Sequence, residues 1–159
     1  MQLDEFIESL PSEKQIEVAL RFARIALVSW DTMKSEKEVS YHDSIVFLRH
    51  NFKNNFLQLV LDAVEKNNKD EIINLYTDFA EPITALQDDD FTLSYSVEKT
   101  FYGFYNLLKS LIDKEDRTFD QVPVVVSVNQ FIDAIDQDKI IPDDEIRKIL
   151  NEYKKFSKV

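Results

Sequence analysis

The stretch DQVPVVVSVNQFIDAID, Asp120–Asp136, decides the fold class of this 159-residue chain, because it is compatible with both a strand and a helix. The three valines 124–126 favour a strand, since β-branched side chains are enriched there. The sequence contains no second convincing strand, and a lone strand would leave its backbone groups unsatisfied. A helix capped by Asp120, with Pro123 in its first turn, aligns four apolar side chains: Val125, Val128, Ile132 and Ile135. We therefore predict a helix here.

The rest of the sequence has the periodicity of amphipathic helices, with apolar residues three or four positions apart. Glycine occurs once and proline four times, which is too few for the turns of sandwiches and barrels. We predict an all-α fold: one domain spanning 1–159, a bundle of about six to eight helices. Pro82 is expected either to break the fourth helix or to begin a further turn. The remaining predicted helices span roughly 3–10, 12–30, 41–67, 72–80, 92–114 and 143–156. Ser12 and Gln15 are predicted to form a capping box at the start of the helix 12–30.

Gly103 lies within the predicted helix 92–114, where glycine costs about 1 kcal/mol relative to alanine. We expect a close crossing of another helix to compensate for this cost. A lone glycine also excludes a Rossmann fingerprint and a P-loop, which both need several. The absence of cysteine excludes disulfides, thiolate zinc sites and cysteine nucleophiles.

The N-terminal residues MQLDEFIESL carry acids and lack the basic and apolar regions of a signal peptide. No apolar stretch approaches the roughly 20 residues that a membrane span requires. We therefore expect a soluble protein located in the cytoplasm.

Both histidines fall in SYHDSIVFLRH, Ser40–His50. On a helix, His42 and His50 would be about 12 Å apart along the axis and rotated by about 80°, too far to share a metal ion. A His-Asp dipeptide occurs in HD-type metal phosphohydrolases, but their upstream histidine is missing here. The local explanation is a helix start, with Ser40 as the N-cap and Asp43 in the first turn. We predict no metal ligand and no cofactor.

Two pairs of carboxylates have the i,i+3 spacing of magnesium ligands in all-α nucleotide pyrophosphatases. They are Glu5 with Glu8, and Asp62 with Glu65. A magnesium-dependent all-α nucleotide hydrolase is therefore one alternative function. The same spacing is also typical of a solvated helix face, and for this reason we favour a non-catalytic protein.

The charge distribution is more informative than any motif. The formal net charge is −11, and Asp113–Glu145 contains ten acidic side chains against three basic ones. Such a surface repels nucleic acid and anionic membranes and attracts a basic protein. Three tyrosines, Tyr95, Tyr102 and Tyr105, are candidate anchors, although we expect most of these rings in the core. The predicted partner-binding residues are Asp88, Asp89, Asp90, Asp116, Asp120, Asp133, Asp136 and Asp138.

The run EVALRFARIALVSWDTM, Glu17–Met33, followed by SYHDSIVFLRHNF, Ser40–Phe52, resembles the helical immunity proteins of bacterial polymorphic-toxin and contact-dependent inhibition systems. The likeness rests on the helix that ends in Trp30-Asp31 and on the start of the next helix. It implies a small cytoplasmic protein that binds and neutralises one cognate toxin domain, and it assigns no functional residues. Our leading hypothesis is an immunity protein against a basic, nuclease-type toxin. A structural or regulatory dimerisation module, forming a homodimer, is the other alternative.

Overall fold

The computed structural model describes residues 2–32, 56–88, 93–113 and 121–158. None of the elements that these residues form is a β-strand, so the predicted all-α helical bundle is confirmed. None of their helices is long and apolar enough to cross a membrane. Both histidines lie outside these ranges, as does the first part of the predicted helix 41–67.

In chain order the elements are α1 (Leu3–Glu8), α2 (Ser12–Thr32), α3 (Phe56–Glu65), α4 (Lys69–Asp78), α5 (Ala80–Gln87), α6 (Tyr95–Ile112), α7 (Pro123–Asp138), α8 (Asp143–Asn151) and a 3-10 helix (Lys154–Phe156).

The ambiguous segment is helix α7, and burial explains why its valines do not form a strand. Val125 and Val128 are fully buried, and Val124 and Val126 nearly so, because α7 packs against both α6 and α2. Pro123 is the first helical residue, and Val122 occupies the extended cap position. The predicted cap at Asp120 is therefore wrong, because the fixed backbone angle of Pro123 suits the helix start.

The crossing of α6 and α7 confirms the close approach expected at Gly103. A Cβ atom at Gly103 would lie 2.5 Å from Cε1 of Phe131, whose ring is fully buried. Phe104 packs edge-on against the same ring, with centroids 5.1 Å apart. Ser127 Oγ donates a 2.8 Å hydrogen bond to the Gly103 carbonyl oxygen. The only glycine of the chain is therefore a packing requirement of this crossing.

A cluster of aromatic rings joins α2, α3 and α6. Trp30 stacks on Phe101 at 5.9 Å, and Phe79 contacts Phe101 at 5.0 Å and Phe56 at 5.1 Å between centroids. Phe79 is the joint at which α4 ends and α5 begins. Pro82 lies in the first turn of α5, where its missing N–H costs little. Of the two predicted possibilities, Pro82 therefore belongs to a further helix that follows α4.

Several helix ends differ from the prediction. The Pro11 carbonyl oxygen accepts from the N–H groups of Lys14 and Gln15, so Pro11 occupies the cap position and Ser12 is already the first residue of α2. The side chain of Gln15 donates to the Leu10 carbonyl at 3.1 Å, and the predicted capping box is wrong. α1 and α6 are each a few residues shorter than predicted. α8 ends at Asn151, before the 3-10 helix.

The C-terminal segment is tied to the joint between α1 and α2. The Lys158 N–H donates to the Ser9 carbonyl at 3.3 Å, and the hydroxyls of Ser9 and Ser157 are 2.7 Å apart. Arg21 forms an ion pair with Glu152. These contacts place α8 beside the first half of α2.

We expect the substitution Gly103→Ala to lower the free energy of unfolding by up to about 2 kcal/mol. Forcing a methyl group into a packed crossing costs about 1–3 kcal/mol, which outweighs the gain in helix propensity of about 1 kcal/mol. Urea denaturation measures the change. In a double-mutant cycle with Phe131→Leu, the two losses should be less than additive, because the smaller side chain makes room for the methyl group. A stabilised Gly103→Ala variant would contradict the close crossing.

Candidate partner-binding surface

Four of the eight predicted partner-binding aspartates lie in the described part of the chain. Asp88 is the exposed residue that ends α5. Asp133, Asp136 and Asp138 lie exposed along the second half of α7. The other four lie outside the described residues: Asp89, Asp90, Asp116 and Asp120.

Two of these residues line a cleft between α7 and α8, which we call the α7–α8 cleft. It encloses about 230 Å³. Its apolar part is formed by one isoleucine from each helix, and its polar part contains three carboxylates and one guanidinium group. Asp88 and Asp138 are not among the lining residues, which are Ile132, Asp133, Asp136, Asp143, Ile146 and Arg147.

Asp136 and Lys139 form an exposed ion pair at the end of α7. Lys139 Nζ donates to Asp136 Oδ1 at 3.0 Å. This hydrogen bond and the lysine charge lower the pKa of Asp136, and Asp143 interacts with the same carboxyl group. The same hydrogen bond raises the pKa of Lys139. Asp136 therefore keeps its negative charge to a lower pH than an isolated aspartate.

The pKa of Asp133 shifts in the opposite direction to that of Asp136. Although the residue is exposed overall, partial burial of its carboxyl group raises the pKa of Asp133. The positive charge of Lys99 on α6 opposes the rise, and repulsion from Asp136 adds to it. The folded protein thus disfavours the ionised form of this carboxyl group.

The acids of α7 are also badly placed for helix stability. No basic residue lies in the last turn of α7, whereas Asp136 and Asp138 do. Negative charges near a helix C-terminus interact unfavourably with the macrodipole. Lys139, which follows, provides a cation but adopts the left-handed conformation (φ 52°), which is unfavourable for a residue with a Cβ atom.

Asp138 has a structural contact that the sequence did not indicate. Its Oδ2 accepts a 2.8 Å hydrogen bond from Ser29 Oγ on α2, and Ser29 is buried. Asp138 therefore helps to join α2 to α7. Of the predicted aspartates, Asp133 and Asp136 are the two that line the α7–α8 cleft.

Asp143 and Arg147 belong to the cleft but were not among the predicted site residues. Asp143 falls in the acidic stretch Asp113–Glu145, so the charge distribution included it. The sequence did not indicate that 139–142 is only a short connection between two helices. This connection brings the first turn of α8 beside the last turns of α7. Arg147 is 3.3 Å from Asp144 on the same helix.

The carboxylates of the hydrolase alternative do not converge on one site. Glu5 and Glu8 are exposed on α1. On α3, Glu65 accepts from Arg24 Nε at 2.9 Å and Asp62 accepts from Gln58 at 3.0 Å. Within the described ranges, no three His, Asp or Glu side chains lie close enough to hold a metal ion.

Comparison of the chain with protein-family models, with curated proteins and with solved structures finds no match. The resemblance to immunity proteins therefore stays a prediction.

We expect Asp133→Asn to raise the free energy of unfolding at neutral pH, by no more than the about 0.5 kcal/mol typical of surface substitutions. Because the native pKa of Asp133 is raised, ionised Asp133 destabilises the fold above that pKa. The advantage of asparagine should disappear as the pH falls through the native pKa toward the ordinary value of 3.8.

Chemical denaturation at a series of pH values measures this difference. The matched control is Asp70→Asn in the first turn of α4, where a carboxylate complements the macrodipole and its loss should destabilise. A destabilised Asp133→Asn variant at neutral pH would show that the acid supports the fold.

Proposed function

We propose that the protein is an immunity protein, a non-catalytic inhibitor of a basic, nuclease-type toxin domain. The observation that carries this proposal is the position of its acids. Carboxylates crowd the second half of α7 and the start of α8, and the fold disfavours the ionised form of one of them, Asp133. We call this surface the acidic edge; it comprises Asp133, Asp136, Asp138, Asp143, Asp144 and Glu145.

The α7–α8 cleft has the chemistry to accept a lysine or arginine side chain. Ile132 and Ile146 provide apolar surface for the methylene stem of such a side chain. Asp133 and Asp136 provide carboxylates for its charged head, and hydrogen bonds between charged groups are stronger than neutral ones. Burial is the main cause of the raised pKa of Asp133, and a cation placed there would also offset the added repulsion from Asp136.

The same charges favour fast association. A surface of one sign accelerates encounter with an oppositely charged protein, and this effect weakens as salt screens the charges. A nuclease binds its polyanionic substrate through basic groups, and a carboxylate surface competes for those groups. Inhibition then requires only occupancy of the toxin surface, and no catalytic residue in the inhibitor.

The alternatives receive less support. For the magnesium hydrolase, Asp62 and Glu65 each accept a hydrogen bond from a neighbouring side chain. Within the described ranges, no three acids lie close enough to hold a metal ion. Both alternatives therefore stay predictions.

The test measures association with the toxin domain, whose gene we expect beside this one. We expect Asp136→Asn with Asp143→Asn to slow association about tenfold at low salt and to flatten its dependence on ionic strength. Stopped-flow fluorescence at several salt concentrations gives both quantities.

The control variant is Asp70→Asn with Glu71→Gln, which removes the same charge from the exposed start of α4. If both variants slow association equally, only net charge matters and the acidic edge is not the site. If the protein leaves the neighbouring toxin active and instead hydrolyses nucleotides with magnesium, the proposed function is wrong.

A further inference from the structure

A second concave surface lies on α6, between α5 and α7, and we call it the α6 cavity. It encloses about 430 Å³, which is within the range of about 300–1,000 Å³ typical of ligand pockets. Ile83 of α5 and Val126 of α7 are nearly buried and provide apolar surface on its two walls. Among the described residues it shares no lining side chain with the α7–α8 cleft, so the two sites are separate.

Two amide side chains of the α6 cavity hold each other in one orientation. Asn106 is 5% exposed, and its Nδ2 donates to the Tyr102 carbonyl oxygen at 3.1 Å. A carbonyl can only accept, so the amide nitrogen of Asn106 must face it. The same nitrogen donates to Gln130 Oε1 at 2.9 Å, so Gln130 must present its oxygen to Asn106. Both hydrogens of Asn106 Nδ2 and the oxygen of Gln130 are therefore used within the fold.

These bonds leave one acceptor and one donor unused beside each other. Asn106 Oδ1 accepts no hydrogen bond from the residues that the structure describes, and Gln130 Nε2 donates to none of them. An unpaired polar atom on a nearly buried side chain is costly, so native proteins normally satisfy it. The α6 cavity, which both residues line, is the space from which a ligand can do so.

The base of the α6 cavity also presents two tyrosine rings that the fold holds in place. Tyr105 stacks on Tyr76 with ring centroids 5.4 Å apart, and their hydroxyl oxygens are 3.4 Å apart. Tyr102 packs edge-on against Phe101, with centroids 6.1 Å apart. Aromatic rings in fixed positions favour an aromatic ligand, because ring pairs gain stabilisation beyond their buried area.

The charged residues of the lining do not favour a charged ligand. Lys99 Nζ lies over the Tyr95 ring, 5.3 Å from its centroid, and its charge also acts on Asp133. Lys109 already has an interaction partner in the protein. Glu98 adds a negative charge to the same lining. The ammonium groups are thus engaged and opposed, which leaves the neutral amides to select the ligand.

We propose that the α6 cavity is a binding site for a small, uncharged aromatic ligand that carries an amide group. The ligand N–H donates to Asn106 Oδ1, and the ligand carbonyl accepts from Gln130 Nε2. Its ring packs against Tyr102 and Tyr105, between the apolar walls. The site is independent of the proposed toxin-binding surface.

The test uses the full chain and four small probes of one shape, and it needs no toxin. Benzamide has the ring, the carbonyl and the N–H groups. Acetophenone replaces the amide nitrogen by a methyl group, whereas benzoate and benzamidinium add a negative or a positive charge. Titration followed by ¹H–¹⁵N NMR detects binding directly, through the side-chain amide signals of Asn106 and Gln130.

We expect benzamide to shift both amide signals, with a dissociation constant of about 1–5 mM, as the small size of the probe allows. Acetophenone should bind about two- to tenfold more weakly, because it leaves Asn106 Oδ1 without a donor. Benzoate and benzamidinium should bind no more tightly than benzamide.

The variant Gln130→Glu tests the donor without disturbing its neighbour. It keeps an oxygen for Asn106 Nδ2 and replaces only the amide nitrogen, and it should weaken benzamide binding about two- to tenfold. The matched control is Gln137→Glu, which makes the same change at an exposed position on the same helix and should have no effect.

Four outcomes would each overturn the proposal. They are no shift of the two amide signals at about 20 mM benzamide, equal affinity for benzamide and acetophenone, tighter binding of either charged probe, or unchanged binding by Gln130→Glu. Each can occur while the acidic edge still binds its toxin. Loss of toxin binding would likewise leave the benzamide result intact.

Discussion

The contact between Gly103 and Phe131 is the constraint on which the rest of the structure depends. It sets how closely α6 and α7 approach, and α2 packs against both helices. With Phe131 and Ile135 held inside, the helical period turns Asp133 and Asp136 outward. One crossing therefore positions the acids that line the α7–α8 cleft.

In the proposed function, the requirements of folding and of binding conflict at the acidic edge. Asp133 is ionised at a cost to stability, and the last turn of α7 carries acids where the macrodipole favours bases. Lys139 partly offsets this by pairing with Asp136, but in a left-handed conformation that a glycine would adopt more easily. A protein tolerates such local costs where the residues have another use, and binding a cation is the use that fits these carboxylates.

The sequence predicted the helices and the role of Gly103, because both depend on local periodicity and on a single residue type. The predicted start of α7 was a few residues too early. Pro123, and not the side chain of Asp120, sets the first residue of this helix. Pairings between distant residues were beyond prediction. Nothing local indicates that Ser29 bonds Asp138, 109 positions away, or that Asp143 meets Asp136. The cavity of about 430 Å³ on α6 was equally hidden, because its walls come from faces of α5 and α7 that only packing selects.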